Sequence, residues 1–368
     1  MKTIPRFTIA LSFLFFLLSL CYLLPRISAL PITKEALFYE KLDNKVVHCR
    51  LCPRNCIIPE GKRGFCGVRE NRGGILYTLS YGKLVSINDL DPIEKKPFFH
   101  FLPGAKTFSI ATAGCNLRCK FCQNWEISQK RPEEVDYLYL EPKELIGKMK
   151  ASGRKILAYT YTEPTIFFEY MLEVAQLARK EGFRNVMHSD GYINEEPLRL
   201  LVKYLDAADI DLKGFTEKYY YDMSEGSLEP VLKTLKILKE NKIHLEITTL
   251  IVPGYNDDEE TLIKMCMWIK ENLGADTPLH FSRFIPLYKL MNLNPTPVET
   301  LERARQIALG CGLKYVYIGN VAGHPAENTL CPRCKKVVIG RSGYIITEVN
   351  IEDGKCKFCG EKIEGVWN

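Results

Sequence analysis

The pattern of apolar and polar residues becomes regular from Thr107 onward, where short apolar runs alternate with stretches of helical periodicity. The apolar runs predict seven strands, at residues 106–112, 156–162, 184–189, 207–212, 244–252, 279–285 and 314–318. The stretches between them predict six helices, at residues 142–152, 164–181, 195–205, 228–241, 258–273 and 297–310. Strands and helices that alternate in this way indicate a parallel sheet with right-handed crossovers.

The number of strand–helix units predicts the architecture of residues 105–322. Six or seven units fit an α/β fold of the partial (βα)6-7 TIM-barrel type, in which the chemistry collects at the C-terminal ends of the strands. Polar residues do follow the predicted strands, among them Glu163, Asp190, Asp211 and Lys213. Charged groups in or beside an apolar strand are costly to bury unless they are paired, so we expect a functional site there.

The N-terminus has a different pattern. Residues 7–24 are apolar except for Thr8, Ser12 and Ser19. As a helix this run would be about 27 Å long, close to the thickness of a bilayer core, so residues 1–30 predict a membrane anchor. A removed leader peptide is the alternative. The flanking charges do not decide the orientation, and we expect the rest of the chain on the reducing, cytoplasmic side of the membrane, because it contains clustered cysteines.

Composition narrows the possible classes of function. The chain has 368 residues, 46% of them hydrophobic and 26% charged, which is ordinary for a globular protein. The formal net charge is +6, but no long run of Lys and Arg occurs, so a nucleic-acid partner is not indicated. The chain also has 14 cysteines, and eleven of them fall in three groups in which most neighbours are separated by two or three residues. Such grouping favours metal binding over disulfides.

Two cysteine groups flank the predicted barrel. The first belongs to an N-terminal Cys-rich module at residues 31–104 and consists of Cys49, Cys52, Cys56 and Cys66. Four thiolates could bind zinc or a second cluster in a structural or electron-relaying role, and reduced buried thiols are the alternative. The second group belongs to a C-terminal module at residues 323–368 and consists of Cys331, Cys334, Cys356 and Cys359. Its two C-x2-C pairs predict a zinc-ribbon or rubredoxin-like site, with zinc favoured over iron.

A third group lies directly after the first barrel strand. Cys115, Cys119 and Cys122 form a C-x3-C-x2-C motif, which supplies one ligand fewer than a [4Fe–4S] cluster has irons. A metal centre with an open coordination position can perform chemistry. Three of the four ligands of a structural zinc or electron-transfer site are the alternative.

This triplet resembles the cluster motif of the radical S-adenosylmethionine (SAM) enzymes. Residues 159–164, 209–213 and 252–257 are also similar to the branch of that superfamily that contains the pyruvate formate-lyase activating enzymes. With the two flanking cysteine groups, the chain resembles more narrowly the AmmeMemoRadiSam system radical SAM enzymes. The resemblance implies a [4Fe–4S] cluster whose fourth iron binds SAM and reductively cleaves it to a 5′-deoxyadenosyl radical. By position, it assigns SAM contacts to Glu163, Asp190, Gly191, Val252 and Gly254, and catalytic polar groups to Asp211 and Lys213.

The resemblance also implies partners. The enzyme would need a low-potential electron donor and an unknown protein or small-molecule substrate. If the activating-enzyme likeness extends to the substrate, the target is a glycyl residue of a protein; a small molecule or a lipid is the alternative. A multi-cluster electron-transfer protein or a metal-binding interaction protein, neither of which cleaves SAM, is the alternative from a different class.

Overall fold

The computed structural model describes residues 34–368, which are organised around one eight-stranded sheet. The strands of this sheet lie in the order β16-β15-β14-β13-β12-β11-β9-β8. They are β8 (Ser86–Pro92), β9 (Lys106–Ala111), β11 (Ile156–Tyr159), β12 (Arg184–Ser189), β13 (Ala207–Asp211), β14 (His244–Ile251), β15 (Leu279–Arg283) and β16 (Val316–Gly319). From β9 to β16 every neighbouring pair is parallel, as the strand–helix alternation predicted.

The remaining strands form small sheets at both ends of the described chain. The N-terminal strands are β1 (Lys34–Glu35), β2 (Tyr39–Lys41), β3 (Val47–Cys49), β4 (Ile57–Ile58), β5 (Arg69–Arg72), β6 (Ile75–Thr78) and β7 (Lys83–Leu84). Strand β7 pairs with β10 (Leu138–Tyr139), which lies later in the chain. The C-terminal ones are β17 (Thr329–Leu330), β18 (Val337–Ser342), β19 (Ile345–Val349), β20 (Ile351–Glu352) and β21 (Lys355–Cys356).

Eight α-helices are described. They are α1 (Trp125–Ser128), α2 (Pro142–Ser152), α3 (Phe168–Lys180), α4 (Glu195–Leu201), α5 (Glu217–Ser224), α6 (Glu229–Glu240), α7 (Glu259–Leu273) and α8 (Val298–Gly310). The sequence pattern explains their burial: in α6, the residues Val231, Leu235 and Leu238 recur at helical spacing and are fully buried. The Asp258 side chain caps α7 by accepting a hydrogen bond from the Thr261 backbone N–H.

Three elements of the central region, β8, α1 and α5, were not in the predicted set. Strand β8 adds an antiparallel edge to the central sheet, with Ile87 opposite Ile110 of β9. Helices α1 and α5 have only four and eight residues, which is too short for a periodic pattern to be recognised in the sequence. The structure therefore establishes an α/β fold with a mostly parallel central sheet, while closure into a partial barrel stays a prediction.

The predicted membrane anchoring is wrong. Within residues 34–368 no helix is long and apolar enough to cross a membrane. The longest described helix, α7, has 15 residues and a polar face, whereas a span needs about 20 apolar residues. The predicted membrane-spanning segment and its alternative, a removed leader, lie at residues 1–30, outside the described residues. The described residues thus give no support to the predicted transmembrane helix, membrane partner or membrane-anchored location.

Candidate active site

The cysteine triplet lies in the loop that follows β9, at the C-terminal edge of the sheet. Cys115 and Cys119 are buried, and Cys122 is half-buried. The loop begins at Gly114, whose φ of +100° is unfavourable for any residue with a Cβ atom. An added Cβ there would also lie 2.6 Å from Val68 Cγ1, so this position requires glycine.

Polar groups surround the three sulfurs. The backbone N–H of Leu117 donates to Cys115 Sγ at 3.3 Å, and Ser224 Oγ lies 3.3 Å from Cys119 Sγ. Ser128 Oγ lies 3.2 Å from Cys122 Sγ. Burial raises the pKa of Cys119 to about 12, against the opposing effect of the Lys213 ammonium. The Cys119 thiol therefore needs a bound cation to ionise at neutral pH, and the hydroxyl and amide groups around the three sulfurs can donate hydrogen bonds to metal-bound thiolates.

The ends of β11 and β12 are joined through the carboxylate of Glu163. Its Oε1 accepts hydrogen bonds from the Thr165 backbone N–H at 2.8 Å and from Ser189 Oγ at 2.7 Å. Its Oε2 accepts one from the Asp190 backbone N–H at 2.8 Å. Glu163 is 1% exposed, so these three bonds hold the two strand ends in a fixed relation.

Asp190 and Gly191 continue from β12 toward the triplet. Asp190 Oδ2 lies 3.8 Å from Cys115 Sγ, and Oδ1 accepts a hydrogen bond from the Tyr192 backbone N–H. Burial and the neighbouring Glu163 carboxylate raise the pKa of Asp190 well above its usual range. Gly191 has a φ of +68°, which sharpens the turn after the strand.

Asp211 and Lys213, at the end of β13, form a partly buried ion pair. Lys213 Nζ lies 2.8 Å from Asp211 Oδ2. Burial favours the neutral acid, but the Lys213 ammonium and His188 outweigh it and hold the pKa of Asp211 below its usual value. Burial also opposes the charge on Lys213, yet the Asp211, Cys119 and Asp190 groups raise its pKa well above the usual value. A fixed positive charge therefore faces the cysteine loop.

One cavity of about 320 Å³ brings most of these residues together. It is lined by all three cysteines of the triplet and by Glu163, Asp190, Asp211 and Lys213. Gly191, Val252 and Gly254 are not among its lining residues. Val252 instead starts a turn in which the Asn256 side chain donates to the Lys213 carbonyl at 2.9 Å. The predicted contacts of Val252 and Gly254 with SAM stay predictions.

Sequence reasoning missed several residues that line this cavity. Lys96 is 2% exposed, and its Nζ lies 2.7 Å from Asp91 Oδ2. Asp91 also accepts a hydrogen bond from the Tyr161 hydroxyl, and Tyr161 has a φ of +67°. Tyr344 reaches the cavity from the C-terminal hairpin. Only contacts between distant parts of the chain place these groups here, although the Thr-Tyr-Thr-Glu segment did mark the position of Tyr161.

A second polar cluster adjoins the Asp211–Lys213 pair. His188 Nδ1 lies 2.7 Å from Asp209 Oδ1, and ligand atoms of His188, Asp209 and Asp211 all lie within 4.8 Å of one another. Burial would lower the pKa of His188, but the Asp211 and Asp209 carboxylates raise it. The Thr248 hydroxyl donates a hydrogen bond to Asp209. Asp209 is 0% exposed, so its carboxyl group would be costly to bury without the hydrogen bonds from His188 and Thr248.

The two flanking cysteine groups differ in geometry. In the C-terminal group, Cys331 Sγ lies 3.5 Å from Cys359 Sγ, and Cys334 Sγ lies 3.7 Å from Cys356 Sγ. All four sulfurs lie within 4.8 Å of one another, so the group can bind a single metal ion. The N-terminal four cysteines line a separate small cavity with Arg54, Arg69 and Thr165. None of these eight cysteines forms a disulfide.

The comparisons with known proteins agree with this geometry. Residues 109–266 match the family model of the radical SAM superfamily. The chain is 49% identical over 335 residues to an uncharacterized protein of Methanocaldococcus jannaschii, covering 90% of this chain and 99% of that protein. It is 22% identical over 219 residues to the pyruvate formate-lyase 1-activating enzyme of Escherichia coli, covering 55% of this chain and 89% of the enzyme.

Among solved structures, Streptococcus suis SuiB bound to S-adenosylmethionine has a TM-score of 0.47 and 14% identity, covering 62% of this chain and 53% of SuiB. That likeness is too weak to add to the assignment. The chain belongs to the radical SAM superfamily. It is an activating-enzyme-like member, and the superfamily implies a [4Fe–4S] cluster and SAM as its cofactors.

Proposed function

We propose that Cys115, Cys119 and Cys122 hold the [4Fe–4S] cluster and that the cavity beside them binds SAM. The observation that carries this proposal is the convergence of the three thiols, Glu163 and Asp190 on one cavity of about 320 Å³, within the usual size range of small-molecule sites. The donor set fits the group, because two buried cysteines and one half-buried cysteine, with supporting N–H and O–H groups, supply three ligands and leave one iron open. When bound, the cluster supplies one electron that cleaves SAM to methionine and a 5′-deoxyadenosyl radical.

The protein residues hold and screen this chemistry. Both oxygens of Glu163 already accept hydrogen bonds from the strand ends, so this carboxylate orients the cavity wall and is available to SAM only through its remaining lone pairs. Asp190 presents a carboxyl group 3.8 Å from Cys115 Sγ, where it can accept a hydrogen bond from the methionyl amino group. The Lys213 ammonium stabilises the negative charge of the thiolates. Gly191, Val252 and Gly254 would shape the backbone around SAM.

We propose a glycyl residue of a partner protein as the substrate. The similarity to the Escherichia coli activating enzyme supports this choice. A small-molecule substrate is the second candidate, and the polar lining favours it: Lys96, His188 and the Asp211–Lys213 pair offer more hydrogen-bonding groups than a glycyl backbone requires. The electron donor would be a low-potential one-electron carrier.

We also propose the modular division of the chain. Residues 31–104 would form the N-terminal Cys-rich module, residues 105–322 the partial barrel, and residues 323–368 a zinc-ribbon or rubredoxin-like module. The sulfur separations of 3.5 and 3.7 Å in the last module are near the value of about 3.8 Å that tetrahedral Zn–S bonds of about 2.3 Å give. We therefore favour structural zinc there.

The test is SAM cleavage by the full chain after anaerobic reconstitution with iron and sulfide. Under a strong reductant, the wild-type protein should release 5′-deoxyadenosine, and a variant carrying Cys115→Ser, Cys119→Ser and Cys122→Ser should release none. A matched variant, Cys311→Ser, changes a cysteine outside the three groups and should behave like the wild type. A wild-type protein that holds iron and sulfide at the triplet but releases no nucleoside would contradict the proposal.

The substrate is tested in an anaerobic lysate of the source cells supplemented with SAM. A glycyl substrate predicts an organic-radical electron paramagnetic resonance (EPR) doublet and a protein that oxygen cleaves at a glycine. If the substrate is a small molecule, the products of the radical reaction should appear in the low-molecular-weight fraction, and no protein should be cleaved.

A further inference from the structure

The four N-terminal cysteines converge on one enclosed cavity that the proposed SAM chemistry does not use. Cys49, Cys52, Cys56 and Cys66 all line it, although the last is separated from the others by a glycine-containing turn. Four thiols, from the end of β3 and from the loops on either side of β4, face one cavity and indicate a metal centre with a complete ligand set.

The spacing of these sulfurs differs from that of a single-ion site. Across residues 34–368, the cysteine group whose sulfurs all lie within 4.8 Å of one another is the C-terminal four. Neither the N-terminal four nor the triplet Cys115, Cys119 and Cys122 is that compact. A single zinc ion draws its thiolates to about 3.8 Å from one another. In a multinuclear cluster each thiolate binds a different iron, so the sulfurs stand farther apart. The N-terminal group therefore resembles the triplet, not the C-terminal group, in its geometry.

Buried hydrogen-bond donors provide an independent observation. Arg54 Nη2, Arg69 Nε and Thr165 Oγ1 are buried without a hydrogen-bond partner in the protein, and all three residues line this cavity. Arg69 is 1% exposed, and its Nη1 lies 3.8 Å from Cys49 Sγ. Unpaired buried donors are rare, and three around one cavity point to an acceptor between them. An iron–sulfur cluster adds inorganic sulfides to the thiolate sulfurs as hydrogen-bond acceptors, whereas a zinc site offers the thiolate sulfurs alone.

The charge of the cavity lining agrees with an anionic occupant. Two guanidinium groups, those of Arg54 and Arg69, lie beside the four thiols. Arg69 is also paired with Glu169, so its charge is held in place. Four thiolates on an iron–sulfur core leave a net negative charge, which these arginines can compensate.

We propose that Cys49, Cys52, Cys56 and Cys66 hold a second [4Fe–4S] cluster with four protein ligands. Its cavity lies directly behind the triplet loop: an added Cβ at Gly114 would lie 3.2 Å from the Cys66 carbonyl oxygen, and Arg54 Nε donates to the Asn116 carbonyl at 2.9 Å. As an electron relay, the cluster accepts one electron from an external ferredoxin- or flavodoxin-type donor. It is reoxidised when that single electron reduces the triplet cluster. The relay role rests on the proposed function, whereas the binding site does not.

The test uses the full chain with Cys115→Ser, Cys119→Ser and Cys122→Ser, reconstituted anaerobically. We expect about four irons and four acid-labile sulfides per chain to remain. After reduction, the EPR spectrum of this cluster should not change when SAM is added, because every iron already has a protein ligand. Zinc without labile sulfide at this site, or a spectrum that SAM alters, would overturn the proposal.

A complementary variant guards against misfolding. Replacement of Cys49, Cys52, Cys56 and Cys66 by serine should remove about four irons and four sulfides and leave a cluster whose spectrum responds to SAM. Unchanged iron and sulfide would refute the site; if this variant does not fold, the triplet variant decides. If the wild type cleaves no SAM while the triplet variant keeps its cluster, the proposed function fails and the second cluster stands.

Discussion

The two four-cysteine groups at opposite ends of the described chain have the same ligands but different surroundings. The C-terminal sulfurs lie 3.5 and 3.7 Å apart in pairs, at the distances of a single tetrahedral ion. The N-terminal sulfurs are spread around a cavity that also contains three unpaired buried donors. The difference teaches that ligand identity alone does not specify a metal centre. The distances between ligands and the polar groups around them distinguish an ion from a cluster.

Removal of the C-terminal metal should have the largest effect on stability. The proposed module at residues 323–368 has few buried residues of its own, so a bound metal would supply much of its folding energy, on the order of 10 kcal/mol for structural zinc. A variant carrying Cys331→Ser and Cys356→Ser should lose about one bound metal ion per chain and become sensitive to proteolysis in this module. Mass spectrometry of the fragments checks this, with Cys311→Ser as the control. Equal protease resistance in both variants would mean that the module folds without metal.

Gly114→Ala should disturb the contact between the N-terminal module and the triplet loop. The φ of +100° and the 2.6 Å approach to Val68 Cγ1 together predict a loss of about 2–4 kcal/mol in the free energy of unfolding. Gly147→Ala, in the middle of α2, is the matched control, because its added Cβ meets nothing within 4 Å. We expect that control to be neutral or stabilising by up to about 1 kcal/mol. Denaturant titration of both variants measures the difference, and equal midpoints would contradict the steric argument.

A pH titration should reveal the attachment of the C-terminal module. His100 is buried, with Nδ1 2.5 Å from the Glu364 carbonyl and Nε2 2.5 Å from the Tyr317 hydroxyl. Burial lowers its pKa from 6.5 to about 4. Between pH 6.5 and pH 4 the unfolded chain binds more protons at this residue than the folded chain does. The free energy of unfolding should therefore decrease as the pH falls from 6.5 toward 4, by up to about 3 kcal/mol. His100→Gln keeps a donor and an acceptor but should lack this part of the slope. Identical slopes would mean that other groups cause the acid sensitivity.

Arg54→Gln should have the smallest effect, and it addresses the N-terminal centre alone. Loss of one cation beside the proposed cluster disfavours its reduced form, so its reduction potential should become more negative by the equivalent of roughly 1 kcal/mol. Arg50→Gln is the control, because Arg50 is half-exposed and pairs with Glu40 away from the cavity. Potentiometric EPR titration in the triplet variant isolates this centre. A potential that does not move would place Arg54 outside the electrostatic reach of the site.

Much of the central fold was predictable because its signals are local. The alternation of apolar runs and amphipathic stretches located all seven parallel strands, and the predicted strand 184–189 coincides with β12. The predicted helix 258–273 begins at its Asp258 cap, which is readable from sequence. Strand β8 was not assigned to the central sheet because antiparallel pairing to β9 depends on a contact that no local pattern encodes.

The sequence alone was enough to select the residues proposed to carry the chemistry, because metal ligands and strand-end motifs have characteristic spacings along the chain. It identified the three cysteine groups and the acidic residues Glu163, Asp190 and Asp211 that line the cavity. Only the tertiary structure decided how these groups are arranged. It placed Lys96 and Tyr344 at the same cavity and set the sulfur spacing that separates the two flanking metal groups. The physical reason is that distances between side chains far apart in sequence arise from packing, which no local pattern records.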